Sequence, residues 1–196
     1  MDSETPPVPA IPAEHSAGGK VRLRVAPHIV SAAGFDGPRN CYRYWLERRW
    51  DGKPFGSPGY AVQIGMNPSV ADIDFDDPTV ARCVERARRW GYGAMVMLNA
   101  FGYRCTDKMR LLEVADPVGP GNDEAILRYA TRAERVVVGW GKPPEPLKAR
   151  GAELAARLRA AGIEPLCFKV NADGSPKHPL FVALDAPLIP YPTPVA

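Results

Sequence analysis

Apolar residues follow strand-like spacing in some segments of the chain and helix-like spacing in others. The segment 41–50, CYRYWLERRW, alternates residues between two faces and is rich in aromatic side chains, which predicts a strand. A turn at 51–52 follows, and the segment 60–64 returns as a second strand. We expect these two strands to pair as an antiparallel edge of a sheet.

A helix is predicted next, over residues 78–90. Asp77 is suited to be its N-cap and Pro78 to be its first residue. Apolar side chains then recur with the three- and four-residue spacing of one helix face. These side chains are Val80, Cys83, Val84, Ala87 and Trp90.

Strands and helices alternate through the rest of the chain. Apolar runs predict buried strands at 94–98, 135–139 and 164–168, and helices are predicted at 120–132 and 146–161. Strands joined through helices imply right-handed crossovers and a mostly parallel sheet. We therefore expect one α/β domain with a mostly parallel central sheet.

Composition refines the boundaries of that domain. The chain has 196 residues, 22 of them proline, and the prolines concentrate outside the periodic segments. Residues 1–20 are interpreted as a disordered leader, 21–186 as the single domain and 187–196 as an extended proline-rich tail. No segment approaches the roughly 20 apolar residues that cross a bilayer, so we expect a cytoplasmic protein without a membrane partner.

Metal and cofactor chemistry has little support in the sequence. The four cysteines form no C-x-x-C pair, which favours reduced, mostly buried thiols over a zinc or iron–sulfur site. The acidic run 72–77 lacks the glycine and glutamate of a calcium loop, because Asp77 and Cys83 occupy those positions. We expect no metal and no cofactor, and no local motif pairs a nucleophilic cysteine with a histidine.

Candidate functional segments lie where predicted strands end. In α/β folds ligands bind at the carboxyl ends of the strands. The segments that follow predicted strands at this end are 65–69, 99–104, 139–142 and 175–180. We expect them to meet at one end of the sheet.

Four side chains near these segments are candidates for ligand contact. Asn67, Asn99 and His178 can each hydrogen-bond a small planar ligand. Equally, Asn67 could cap its own turn, Asn99 could satisfy backbone groups at the strand end, and His178 could lie in a surface loop. Phe75, placed among aspartates, either anchors its loop to the core or offers a ring for stacking.

The predicted helix 78–90 carries an arginine-rich face. Arg82, Arg86 and Arg89 recur at i, i+4 and i+7 and would create a positive field beside the proposed site. Phosphate contact is one interpretation of this face, and a solvated helix surface is the other. The net charge of +3 is too small to decide between them.

Several stretches together resemble a known bacterial family. IGMNPSVAD, DDPTVARCVERARRWGYG, LNAFGYRCTD, DPVGPGND and GSPKHPL are similar to segments of a family filed as a domain of unknown function, over residues 42–184. More distantly, the order of these motifs resembles the uracil-DNA glycosylase superfamily. That resemblance implies a three-layer α/β sandwich with a mostly parallel central sheet.

The resemblance also implies roles for individual residues. Asn67 would position the attacking water, Asn99 would read the edge of the base, and His178 would contact the base and the strand backbone. Phe75 would be the stacking ring. The residues implied around the base are Gly65, Met66 and Pro68, and those assigned to nucleic-acid contact are Arg82, Arg86, Arg89 and Lys177.

The function implied by the resemblance is that of a DNA glycosylase. Such an enzyme hydrolyses the N-glycosidic bond of a uracil-like or otherwise modified base in single- or double-stranded DNA. Two alternatives stay open: an enzyme that acts on a free nucleobase, nucleoside or nucleotide, and a noncatalytic nucleic-acid-binding module. We expect a monomer whose partner is DNA.

Overall fold

The computed structural model describes residues 17–18 and 21–193. The described chain contains short and long strands together with three α-helices. The strands are β1 (Leu23–Arg24), β2 (Val30–Asp36), β3 (Tyr42–Arg49), β4 (Tyr60–Gly65), β5 (Phe75–Asp76), β6 (Ala94–Asn99), β7 (Arg135–Val138), β8 (Leu166–Cys167) and β9 (Ile189–Pro190). The helices are α1 (Pro78–Arg89), α2 (Asn122–Ala130) and α3 (Ala149–Ala160).

The main sheet is mixed. Its seven strands run in the order β2-β3-β6-β4-β7-β8-β9, and β1 pairs separately with β5. The pairs β4–β6, β4–β7 and β7–β8 are parallel, whereas β2–β3, β3–β6 and β8–β9 are antiparallel. The prediction of a mostly parallel, three-layer sandwich of the uracil-DNA glycosylase type is therefore wrong, because antiparallel pairs occupy both flanks of the sheet.

The expected pairing of the first two predicted strands is also wrong. β3 and β4 form as strands, but β6 lies between them and pairs with both. The sequence signal for β2 (VSAAGFD) was missed because small residues replace the apolar alternation of a strand. Its Gly34 is required by packing, since a Cβ there would lie 2.0 Å from Nε1 of Trp45.

Two hydrophobic clusters cover the two faces of the central strands. Val80, Cys83 and Ala87 of α1 pack with Met95 and Met97 of β6 in one cluster. The helix begins at Pro78 with Asp77 as N-cap, so the predicted amphipathic helix and its cap are confirmed. The other cluster joins the opposite sheet face to α2 and α3. Most core positions of α1 could thus be predicted from periodicity alone.

The parallel strands bring their carboxyl ends to one edge of the sheet. Gly65 is the register partner of Asn99, and Ile64 is the partner of Val138. Gly139 follows directly and its N–H donates to the carbonyl of Ile64. The expectation that these polar breaks share one end of the sheet is confirmed.

Both ends of the described chain contact the body of the protein. Ala17 is buried and its carbonyl accepts from the N–H of Thr106, while the other residues of the predicted leader, 1–16 and 19–20, lie outside the described residues. The predicted tail joins the sheet, because β9 pairs antiparallel with β8. Within the described ranges, none of the helices has both the length and the apolar character needed to cross a membrane.

Candidate functional site

A cavity of about 580 Å³ opens at the carboxyl end of β4 and β6. This volume lies within the range of about 300–1,000 Å³ that is usual for small-molecule sites. Distant parts of the sequence supply its walls, including the turn after β4, the first residues of α1 and the segment that carries His178. The polar residues that border it include Arg43, Asn67, Ser69, Asp77, Asn99, Thr106, Asp107, Lys108, Lys142 and His178.

Asn99 forms part of the cavity wall at the end of β6. Its side chain is 1% exposed, and its Nδ2 has no hydrogen-bond partner among the described residues. Gly65 makes room for it, since a Cβ on Gly65 would lie 3.0 Å from Asn99 Oδ1. A buried donor without a partner costs free energy, so the Asn99 amide is available to a ligand at this position.

Asn67 stabilises the turn that borders the cavity. Its Nδ2 donates to the carbonyl of Cys105, and to that of Pro68 at 3.2 Å. No described group donates to its Oδ1, which can therefore accept a hydrogen bond from a water or a ligand. The predicted residues Gly65 and Met66 border the cavity too, whereas Pro68 is buried and does not.

His178 borders the cavity from a loop after β8. Its Nδ1 accepts from the N–H of Leu180 at 3.3 Å, which places the proton of the neutral ring on Nε2. Burial lowers the pKa of His178, and the charge of Arg86 acts in the same direction, whereas Asp77 opposes it. The neutral imidazole is thus favoured near pH 7 and can donate from Nε2.

The loop that carries His178 is fixed by arginines of α1. Arg86 is 0% exposed, and its Nη2 donates to the carbonyls of Pro179, Val182 and Ala183 at 3.0, 2.9 and 3.2 Å. Arg82 also donates to the Val182 carbonyl, at 2.6 Å. The expected three-arginine surface is therefore not formed, because two of these guanidinium groups are used inside the protein.

The other two residues assigned to nucleic-acid contact lie outside the cavity wall. Arg89 is at the surface and pairs with Glu85 at 2.8 Å. The backbone N–H of Lys177 donates to the carbonyl of Lys169 at 2.7 Å, and its side chain is not part of the cavity. Both assignments stay predictions.

The structure does not bring Phe75 into the cavity wall. The ring lies 4.0 Å from the guanidinium carbon of Arg22 and 5.0 Å from that of Arg24, in the β1–β5 ribbon. Phe181 borders the cavity instead, is 72% exposed and has its ring centroid 5.6 Å from that of His178. Its place three residues after His178 was the signal that sequence reasoning missed.

Asp77 and Arg43 are cavity residues that sequence reasoning did not assign. Asp77 was predicted only as the N-cap, and its Oδ1 does accept from the N–H groups of Thr79 and Val80 at 2.9 Å. Its Oδ2 has no partner among the described residues, so a carboxylate oxygen remains for a ligand or a water. Burial lowers the pKa of Arg43 to about 10, and Asp77 is the largest opposing influence.

The cysteine in the cavity wall is poorly suited to act as a nucleophile. Cys105 borders the cavity, but burial raises the pKa of its thiol to about 11, so the reactive thiolate is scarce at neutral pH. Nowhere in the described residues do three or more His, Cys, Asp or Glu side chains form a group suited to a metal ion. The site therefore offers two carboxylates, a neutral imidazole, amides and cationic groups.

Comparison with known proteins places the chain in a family. No curated protein and no solved structure matches it, and the resemblance to uracil-DNA glycosylases is not shown by these comparisons. A family model described as "Protein of unknown function (DUF1643)" matches residues 43–180, most of the chain. The predicted membership of a family of unknown function is confirmed: the chain belongs to the DUF1643 family.

Proposed function

We propose that the protein is an enzyme that hydrolyses the N-glycosidic bond of a nucleobase in DNA, with the base held in this cavity. One observation carries the proposal: the unpartnered amide donor of Asn99 lies in the wall of the same cavity as the Asp77 carboxylate and the His178 imidazole. A base carbonyl would give Asn99 the acceptor that the protein does not provide.

Asp77 is suited to activate the water. In the hydrolysis the water oxygen forms a bond to the anomeric carbon, the bond from that carbon to the base nitrogen breaks, and the base leaves with the bonding electrons. Oδ2 of Asp77 can accept the water proton, whereas the Asn67 carboxamide cannot usefully do so. Asn67 Oδ1 is left with the role of orienting the water.

His178 is suited to stabilise the departing base. Negative charge develops on the base as the bond breaks, and a donor already in place near a base oxygen stabilises that charge. The lowered pKa keeps the imidazole neutral, and the Leu180 N–H fixes Nε2 as the protonated nitrogen. The proton lost by water later neutralises the base anion.

The rim of the cavity supports a nucleic-acid substrate. The exposed ring of Phe181 can stack on a base, which contributes about 1–3 kcal/mol per base in single-strand binding. Lys108 and Lys142 also border the cavity and can contact a phosphate backbone. These residues take over the roles first assigned to Phe75 and to the α1 arginines.

A free nucleotide is the second candidate substrate. It is favoured by one observation, the internal use of Arg82 and Arg86, which removes most of the cationic surface expected along a DNA strand. We further propose that the protein is a monomer and that it acts in the cytoplasm. The four free cysteines support a reducing compartment.

The proposal is tested by measuring release of free base. Oligonucleotides that carry uracil or other modified bases, in single- and double-stranded form, and the matching nucleotides are incubated with the protein, and the products are separated by chromatography. We expect base release, and we expect Asp77→Asn to lower kcat by roughly 10²–10⁴-fold, the usual contribution of a general base.

Asp77→Asn separates an effect on catalysis from an effect on folding, because asparagine is as good an N-cap as aspartate. Thermal unfolding should therefore be close to wild type. Glu153→Gln, on the exposed surface of α3 and outside the cavity wall, serves as the matched loss of a carboxylate charge. Binding of oligonucleotides without base release from any substrate would contradict the enzyme and favour a noncatalytic binding module.

A further inference from the structure

We infer that the substrate of this cavity carries an anionic oxygen group that binds to Arg43. The inference rests on the proposed function, because it concerns the ligand of the same cavity, and it adds a requirement on the chemistry of that ligand. A neutral base alone would satisfy Asn99 and leave the guanidinium without a counter-charge.

Arg43 is a buried cation with little compensation from the protein. It is 1% exposed, its Nη1 donates to the Ala71 carbonyl at 2.6 Å, and its Nε has no partner among the residues that the structure describes. It forms no ion pair there, whereas Arg48 on the same strand pairs with Asp76 at 2.7 Å. Within the described chain Arg86 is also buried without an ion pair and leaves Nε and Nη1 without partners, but it does not border the cavity. Buried charges are normally paired, and Arg43 lies where a ligand in the cavity can supply the partner.

The position of Arg43 makes a ligand the natural partner. Its side chain borders the cavity together with Asn99, and both residues present buried donors that lack acceptors. Asp77 attracts Arg43 through space without forming an ion pair with it, and the cationic groups of Lys108 and Lys142 border the same cavity. The cavity wall thus holds three cationic side chains, Arg43, Lys108 and Lys142, against the two carboxylates of Asp77 and Asp107. Its net positive charge favours an oxygen acceptor that carries negative charge.

Two parts of a nucleotide could supply such an oxygen. One is the phosphate, of the strand or of a free nucleotide, and the other is an acidic substituent on the base. Arginine binds phosphate and carboxylate through the same pair of N–H donors, so the cavity chemistry covers both. The experiment separates them by placing the anion on one part of the probe at a time.

Binding is measured by calorimetry with three probes: deoxyuridine, deoxyuridine monophosphate and a deoxyuridine with a carboxylate on the base. We expect one anionic probe to bind roughly 10- to 100-fold more tightly than deoxyuridine, which is the range of a charged hydrogen bond. Arg43→Gln should abolish that preference and leave the affinity for deoxyuridine unchanged. Lys53→Gln should retain it.

Equal binding of all three probes by wild type, or a preference that survives in Arg43→Gln, would overturn the inference. Arg43→Lys provides a second variant if the glutamine variant does not fold, and we expect it to keep a reduced anion preference because the charge remains. Base release is measured on the same samples. Anion preference without base release would refute the proposed hydrolysis alone, and base release without anion preference would refute this inference alone.

Discussion

Two arginines on strand β3 have opposite surroundings, although both are buried. Arg49 uses all of its nitrogens: Nε donates to Glu47 at 2.8 Å, Nη1 to both Asp51 oxygens at 3.0 Å and Nη2 to the Ser57 carbonyl at 2.7 Å. Arg43, six residues earlier, donates to one carbonyl and leaves its Nε without a partner. The comparison separates a charge that the fold itself has neutralised from one that it has left open.

The two ends of the sheet differ in the same way. Arg49 is paired with Ala94, where β6 begins, and its cluster with Glu47 is closed off from solvent. At the other end of β6, Asn99 and Arg43 border a cavity and keep unpartnered donors. Arg48 and Ser31, near the Arg49 end, also keep unpartnered buried atoms, but they do not border this cavity. Arg43 and Asn99 do border it, so a ligand bound there can complete their hydrogen bonds.

The largest loss of stability is expected at the end of the sheet that carries Arg49. Arg49→Gln removes the cation that neutralises the buried carboxylate of Glu47, whose side chain is 0% exposed. Breaking a buried ion pair from one side costs about 3–5 kcal/mol, because the other charge stays buried without compensation. Urea unfolding should show a loss of this size in the free energy of unfolding.

Arg43→Gln is the matched control for that measurement. It makes the same change on the same strand at an equally buried site. Because it leaves no carboxylate without a paired cation, we expect a much smaller loss of stability. An equal loss for the two variants would show that Arg43 is as much a structural residue as Arg49, and the contrast between the two ends of the sheet would disappear.

Replacing Arg86, which is buried and donates to three carbonyls, should lower the free energy of unfolding by an intermediate amount. Arg86→Gln should release the loop after His178 and remove a nearby positive charge. Both changes raise the pKa of His178, which burial and the Arg86 charge lower in the wild type. NMR titration of the imidazole protons measures the pKa directly, and an unchanged value would show that Arg86 does not act on His178.

The sign of the associated pH dependence follows from linkage. The His178 pKa is lower in the folded state than the value of about 6.5 in the unfolded chain, so between the two the unfolded state binds more protons. Wild-type stability should therefore fall as the pH drops below about 6.5, and this acid-side loss should be smaller in Arg86→Gln. If the reaction needs the neutral imidazole, base release should fall only as the pH passes the lowered pKa of His178 in the folded protein.

The sequence predicted most of the local elements of the fold, but part of the strand pairing was not predicted correctly. The helix α1, its Asp77 cap and the apolar runs of β4, β6 and β7 follow from periodicity and capping chemistry, which are local. β2 lacks an apolar pattern, and the insertion of β6 between β3 and β4 depends on contacts between distant segments. These contacts between distant segments make the sheet mixed.

The site shows the same division between local and long-range information. Asn67, Asn99 and His178 could be found because polar residues resume where predicted strands end. Arg86 looked like a surface residue from its helical spacing, and only the structure shows the loop carbonyls that it binds. Arg43 gave no sequence signal either, because a charge within an alternating strand is normally read as solvent-facing.

The smallest effect on stability is expected at Asn99. Asn99→Leu replaces the amide by an apolar group of similar shape, and no hydrogen bond to Nδ2 is lost because the described residues provide none. The free energy of unfolding should stay within about 1 kcal/mol of wild type or increase, since exchanging an unsatisfied buried donor for an apolar group is nearly neutral or stabilising. Base release should be lost all the same.

Asn122 provides the matched control for this last variant. It is an equally buried asparagine, but its Nδ2 donates to the carbonyls of Asn99 and Ala100 at 3.0 and 3.3 Å. Asn122→Leu removes this donor from the buried Asn99 carbonyl, whereas the Ala100 carbonyl keeps Arg150 Nε at 2.9 Å. The variant should therefore cost about 1–3 kcal/mol in urea unfolding. If Asn99→Leu were as destabilising as Asn122→Leu, the Asn99 amide would already be satisfied within the protein. Asn99 would then have no free donor with which to bind a base.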